Sequence, residues 1–287
     1  MQPSEKIEYY ASLPQPEDRP ALQPIGPNNP PWGSWEAVGL FLFSVFLIVL
    51  FPTLFLLPYL ATLTPPLTES SQILEFSKTD STAIFLQIIS ILPAHALTIL
   101  VAWIVVTRVR KYKFGATLGW ESGGFYWWYY PVILVSFFIA AAIVGYLLPE
   151  KQNELFKMLQ YSRSAVYILA ILATFTAPLV EEVVYRGVMY SAFQRSFGVR
   201  AAFFLVTLMF ALVHVPQYWG SYSTILLLGL LSLVLTSIRV KTNNLWPCIV
   251  LHTLFNGLQS SLLLAEPYLP KPDIPQQVEA ILHLVKF

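Results

Sequence analysis

The sequence predicts an all-α, polytopic transmembrane helical bundle of about seven spans, or eight if one of them is broken or re-entrant. Three observations carry this expectation. Of the 287 residues, 56% are apolar and only 11% are charged, against about 25% charged in an ordinary soluble domain. Apolar runs of roughly 20 residues, the length that crosses a hydrocarbon core about 30 Å thick, recur along the chain. The Lys and Arg residues between those runs also collect in alternate loops, as they do when loops alternate between the two sides of a membrane.

Taken in order, residues 1–33 are rich in proline and carry several charges, a composition that cannot bury enough apolar surface to order itself. They read as a flexible, cytoplasmic tail. The first apolar run starts near Trp35 and is too long to be a cleaved secretory signal. Spans are expected at about 35–63, 82–106, 127–148, 165–192, 201–219, 222–238 and 245–264. Pro52 and Pro58 remove backbone donors and are expected to bend or break the first of these. The fourth runs from apolar residues straight into Glu181, Glu182 and Arg186, and keeping it as one long helix preserves the alternation of loops. Residues 34–266 then form the membrane domain and 267–287 a C-terminal tail, in which 274–287 alternate apolar and polar groups weakly, as an interfacial segment does.

Arg108, Arg110, Lys111 and Lys113 follow the second span, Arg195 and Arg200 the fourth, and Arg239 and Lys241 the sixth. These loops are expected in the cytoplasm, with the N-terminus inside and the C-terminus outside. That makes an integral, multi-pass protein of the plasma membrane in a bacterium or of the endoplasmic reticulum in a eukaryote. The formal net charge of +1 leaves no basic surface for nucleic acid; membrane lipid is the expected surrounding. The lone Cys248 lies in an apolar run and reads as packing.

An ionisable group in mid-bilayer costs about 2.5–3.5 kcal/mol on insertion scales, so it marks a pathway or a site. Three spans carry such groups: the fourth reads Glu181-Glu182-Val183-Val184-Tyr185-Arg186, the fifth Phe210-Ala211-Leu212-Val213-His214, and the seventh His252-Thr253-Leu254-Phe255-Asn256. Counting back to the cytoplasmic end of each helix at about 1.5 Å per residue puts Glu181, His214, His252 and Asn256 in one layer. Residues four apart share a helix face, so Glu182 reaches Arg186 as a supporting pair and His252 stands beside Asn256. Glu181, turned about 100° away from Glu182, is left as the reactive carboxylate. Hydrolysis needs a group to activate water and donors for the developing oxyanion. Glu181 with His214 meets the first need, and His252 with Asn256 the second. His95, near Pro93 in the second span, has no companion at helical spacing and reads as structural.

Those three motifs, in that order on separate helices, resemble the CPBP family of intramembrane peptidases. That family includes the type II CAAX prenyl endopeptidases and the bacterial self-immunity (Abi) proteins. The resemblance covers about 165–260. It implies an endopeptidase acting on a lipidated or transmembrane peptide, with Glu181 and His214 activating water, His252 and Asn256 stabilising the oxyanion, and Glu182 and Arg186 in support. A mechanism without metal competes with one using zinc. A zinc site would draw on Glu181, His214 and His252, although no HExxH helix is present. Two other functions remain open: a proton-coupled transporter using the same groups as a relay, and a catalytically silent scaffold or immunity protein. The leading reading, the endopeptidase, is expected to have its cavity opening toward the cytoplasmic leaflet.

Overall fold

The computed structural model describes residues 24–148 and 154–268, and the described residues are overwhelmingly helical. Helix α1, Ser34–Leu60, starts where the Glu36 carboxylate accepts the Gly33 N–H at 2.6 Å, satisfying one of the free donors of a helix start. It runs without a break through Pro52 and Pro58, so the break expected at those prolines does not occur. Helix α2, Ser81–Thr107, is capped by Asp80, whose carboxylate accepts the Ala83 N–H at 2.8 Å. A turn at Ser90, three residues before Pro93, divides it. Helix α3 spans Tyr129–Leu147.

The next helical stretch, Arg163–His214, is 52 residues long. Gly198 interrupts it with φ 82° and ψ 165°, and the chain turns back there. The rings of Tyr185 and Phe210 pack at 5.1 Å, whereas a straight helix would separate those residues by about 37 Å. We name the arms α4 (163–197) and α5 (199–214); they correspond to the expected fourth and fifth spans. Helices α6, Tyr222–Thr242, and α7, Trp246–Ala265, complete the bundle. Among the described residues, six helical stretches are long and apolar enough to cross a membrane, with the 52-residue stretch counted once.

Helix α4 is the axis of the fold. Every residue from Glu182 to Phe193 is buried, as expected of a helix packed on all sides. Its largest cluster joins Val183, Val188 and Met189 to Leu40 of α1, Val106 of α2, Val206 of α5 and Leu245 at the start of α7. A second cluster packs α3 on α6 and α7 through Phe137, Leu231 and Phe255.

Two expectations need correction here. Residues 24–33, read from composition as the end of a flexible tail, are docked: Trp32 is fully buried and its indole N–H donates to the Val188 carbonyl at 3.0 Å. Arg195 donates to the carbonyls of Pro30 and Trp32, and Arg108 to that of Pro31. Composition missed this because the partners lie more than 70 residues away along the chain. Helix α6 also runs four residues further than its apolar run, which turns Arg239 inward and buries it completely. One of its amino groups reaches the Ser191 hydroxyl at 3.3 Å, while Nε and Nη1 have no protein partner. Residues 1–23, and the C-terminal tail with its interfacial stretch from residue 269 onward, lie outside the described residues.

The segment around Gly119 sets where α7 begins. Its carbonyl accepts the Leu245 N–H at 2.8 Å, and the Asn244 amide donates to the carbonyls of Glu121 and Gly123. Gly119 has φ +68°, and a Cβ there would lie 2.6 Å from the Asn243 carbonyl oxygen. A Gly119→Ala variant is therefore expected to lose at least about 1–3 kcal/mol, the cost of a left-handed non-glycine residue before the backbone clash is added. A thermal melt in detergent that matches the parent would contradict this.

Candidate active site

Two turns of α4 depart from α-helical spacing. At 172–176 the Ala177 N–H reaches back five residues to the Leu172 carbonyl, and at 183–189 the Tyr190 N–H does the same to Tyr185. Such π-helical turns occur often at functional sites. The first has a visible cause. Ala177 has bonded to Leu172, and Pro178, five residues beyond Ala173, has no N–H to give, so neither residue supplies the Ala173 carbonyl. The Asn256 side chain fills that place, its Nδ2 donating to the Ala173 oxygen at 2.9 Å. This bond ties α7 to the irregular turn of α4 just ahead of Glu181.

Glu182 is fully buried, and one of its oxygens, Oε1, accepts two hydrogen bonds: from Arg186 Nη1 at 2.9 Å and from His252 Nδ1 at 2.8 Å. Arg186, also fully buried, continues through Nη2 to the Ser232 hydroxyl at 2.8 Å and carbonyl at 3.1 Å, and through Nε to the Thr236 hydroxyl at 3.4 Å. Its guanidinium lies 4.7 Å from the Phe210 ring centroid, a cation–π contact strengthened by the dry surroundings. The expected i,i+4 pair is present, and it is the hub that joins α4, α5, α6 and α7.

Glu181 has a different setting. Its side chain is 25% exposed and faces a cavity of about 550 Å³, with its Oε2 3.7 Å from His252 Nε2. His214 lines the same cavity. Its Nδ1 lies 2.6 Å from the Phe210 carbonyl, and since a carbonyl only accepts, Nδ1 carries a proton; the neutral ring is then the tautomer whose Nε2 keeps its lone pair. His252 is fixed by the same logic, with Nδ1–H given to the Glu182 carboxylate and Nε2 turned toward Glu181. The cavity thus brings together Glu181, His214, His252 and Asn256, while Glu182 and Arg186 lie behind it. No hydrogen bond or ion pair joins Glu181 to His214 among the described residues, a separation that suits a shared water.

Reading the sequence missed three contributors. Ser232 and Thr236 hold Arg186 from α6; their four-residue spacing in an otherwise apolar span was the available signal. His95, read as structural, also lies on the cavity wall. Thr176 gives its one hydroxyl proton to Leu172, so it accepts from His95 Nδ1 at 2.9 Å, and a third imidazole presents Nε2 to the cavity. Cys248 is fully buried, its thiol donating to the Leu235 carbonyl at 3.4 Å, which keeps it out of the site.

The zinc alternative can be tested on the donors themselves. Among the described residues no three His, Cys, Asp or Glu side chains form a group able to hold a metal ion. Glu181, His214 and His252 line one cavity, but their side chains as placed form no such group.

No curated protein matches the chain, and no solved structure does. A family model matches residues 163–258, a stretch that contains Glu181, Glu182, Arg186, Phe210, His214, His252 and Asn256 and leaves out α1 to α3. Over that third of its length the chain is similar to the type II CAAX prenyl endopeptidase Rce1-like family of membrane proteases.

Proposed function

We propose that the protein is an intramembrane endopeptidase that hydrolyses a membrane-associated peptide with water activated by Glu181 and without metal. The observation that carries this is the pairing of a cavity-facing carboxylate, Glu181, with the imidazole of His214, whose Nε2 accepts in the neutral ring, in a cavity lined mostly by apolar side chains. A water between them gives one hydrogen to each acceptor, which leaves its lone pairs free for a substrate carbonyl. Glu181 takes a proton as the water oxygen bonds to the carbonyl carbon. The oxyanion meets the second Asn256 N–H, the first being committed to Ala173. Glu181 passes its proton to His252 Nε2, whose N–H hydrogen-bonds to the oxyanion and then gives that same proton to the leaving nitrogen as the oxyanion collapses and the C–N bond breaks. The carboxyl product, the amine and the starting charge states result. Glu182 and Arg186 hold His252 in the tautomer this relay requires.

Support for a membrane-associated substrate comes from the walls. Among the described residues that line the cavity, Glu181 is the only carboxylate, none is Lys or Arg, and most are aliphatic or aromatic. Val49 of α1 lines the cavity and is 68% exposed, which supports a sideways opening of the cavity to lipid beside α1. The test is purified protein in detergent, incubated with a prenylated C-terminal peptide and a panel of membrane peptides, with products read by mass spectrometry. Cleavage of at least one at a defined bond is expected, and no cleavage of any would sink the proposal. A strong chelator added to the same assay is expected to leave the rate unchanged; loss of activity restored by zinc would overturn the metal-free reading.

A further inference from the structure

The described parts of the three basic loops gather at one end of the bundle. Arg108 and Arg195 both hold residues 30–32, and Arg239 Nη1, Pro27 and Asn243 surround Gly119. That end is closed by Trp32, Leu118, Val188, Met189 and Leu245, all fully buried beyond the Glu182–Arg186 pair. The cavity lies on the other side of the pair. Its walls come from the far ends of the helices: Gln217 and Tyr218 after α5, Thr224 at the start of α6, Gln259 and Ser260 late in α7, and Leu155 of the short helix Glu154–Leu159.

Charge separates the two ends. The basic end carries Arg108, Arg110, Lys111, Lys113, Arg195, Arg200 and Lys241 on exposed or half-buried positions. At the opposite end, among the described residues, Lys78 and Lys157 are both paired with Glu154, whose carboxyl is held below its ordinary value by hydrogen bonds from Lys157 and Lys78. Arg163 there reaches the Tyr268 hydroxyl at 3.0 Å. Seven of the described Lys and Arg thus lie at the basic end, Arg108 among them paired with Glu36, against three at the opposite end, and such an excess marks the cytoplasmic side.

From these observations we infer that the active-site cavity opens to the non-cytoplasmic side, and that its substrate is a membrane-anchored peptide whose scissile bond lies at that face. The assignment rests on the peptidase reading and reverses the cytoplasmic opening expected with that reading from the sequence. A peptide reaches Glu181 past Gln217 and Ser260, with its apolar anchor beside Val49 in the bilayer. A cytoplasmic peptide would meet the Trp32 and Leu245 layer instead.

The experiment uses thiol labelling, for which the chain is suited because its single cysteine is buried and hydrogen-bonded. Gln217→Cys and Lys111→Cys are made separately in the full chain and exposed, in right-side-out membrane vesicles, to a membrane-impermeant maleimide. Gln217→Cys is expected to react in sealed vesicles and Lys111→Cys only after permeabilisation. The reverse pattern, or protection of Gln217→Cys under both conditions, would overturn the assignment of the face. In detergent, where sidedness is lost, a bulky maleimide on Gln217→Cys is expected to slow peptide cleavage by about 10²-fold, the scale of an ångström-sized misplacement of substrate. The same adduct on Lys111→Cys is expected to leave the rate unchanged, and equal slowing by the two adducts would overturn the assignment of the mouth. A parent protein that cleaves no peptide would sink the peptidase reading, while the labelling pattern would still decide which face the cavity opens to.

Discussion

A Glu181→Gln variant is expected to lose about 10³-fold in peptide cleavage, near the middle of the range that a positioned general base supplies, while keeping the thermal stability of the parent. The two halves of that expectation come from one fact. Glu181 faces the cavity, is 25% exposed and contributes to no short hydrogen bond inside the bundle, so the amide replaces it without leaving a buried partner unsatisfied. What is lost is the capacity to take a proton from water. Retention of cleavage by the variant would remove Glu181 from the mechanism. A parallel fall in stability would mean that Glu181 holds the bundle together instead.

An Arg186→Met variant should show the opposite profile, a folding defect that carries activity down with it. Arg186 is fully buried and supplies one of the two hydrogen bonds to Glu182, besides three to Ser232 and Thr236. Removing it leaves the Glu182 carboxylate buried beside His252 with its positive partner gone. Breaking a buried pair from one side costs about 3–5 kcal/mol, whereas replacing both partners by apolar groups of similar volume is often close to neutral. Thermal unfolding in detergent should therefore be lowered strongly by Arg186→Met and less by the double change Glu182→Leu with Arg186→Met. If the double variant were less stable than the single, the uncompensated charge would not be the cause. Both variants are expected to be inactive, the single because its folding defect carries activity down and the double because His252 also loses Glu182, the group that fixes its tautomer.

The contrast between these two adjacent glutamates was legible in the sequence because helical spacing alone gives Glu182, and not Glu181, to Arg186. The span pattern was legible for a similar reason: apolar length is set by the bilayer, and even the long fourth helix and the turn before the fifth fell near Gly198. Long-range contacts were not legible. Trp32 sits in a proline-rich stretch whose order comes from carbonyls captured by Arg108 and Arg195, and from Val188 of α4. Asn256 looked like a free donor, yet half of its amide supplies the Ala173 carbonyl that a π-helical turn and Pro178 leave without an N–H. His95 looked solitary because its companion, Thr176, lies on another helix. Periodicity reports which face a residue occupies, and it says nothing of which neighbouring helix meets that face.

The mechanism makes one demand that no account of stability or topology can meet for it: the oxygen that enters the product must come from water directly, with no bond to the protein at any stage. Single-turnover cleavage in ¹⁸O-labelled water, followed by mass spectrometry of both product and protein, reads this. One labelled oxygen in the new carboxyl group of the product, with none in the peptide of the protein that contains Glu181, is the expected result. Label appearing in Glu181 would mean that its carboxylate attacked the substrate and formed an anhydride, and would contradict the water-activating role.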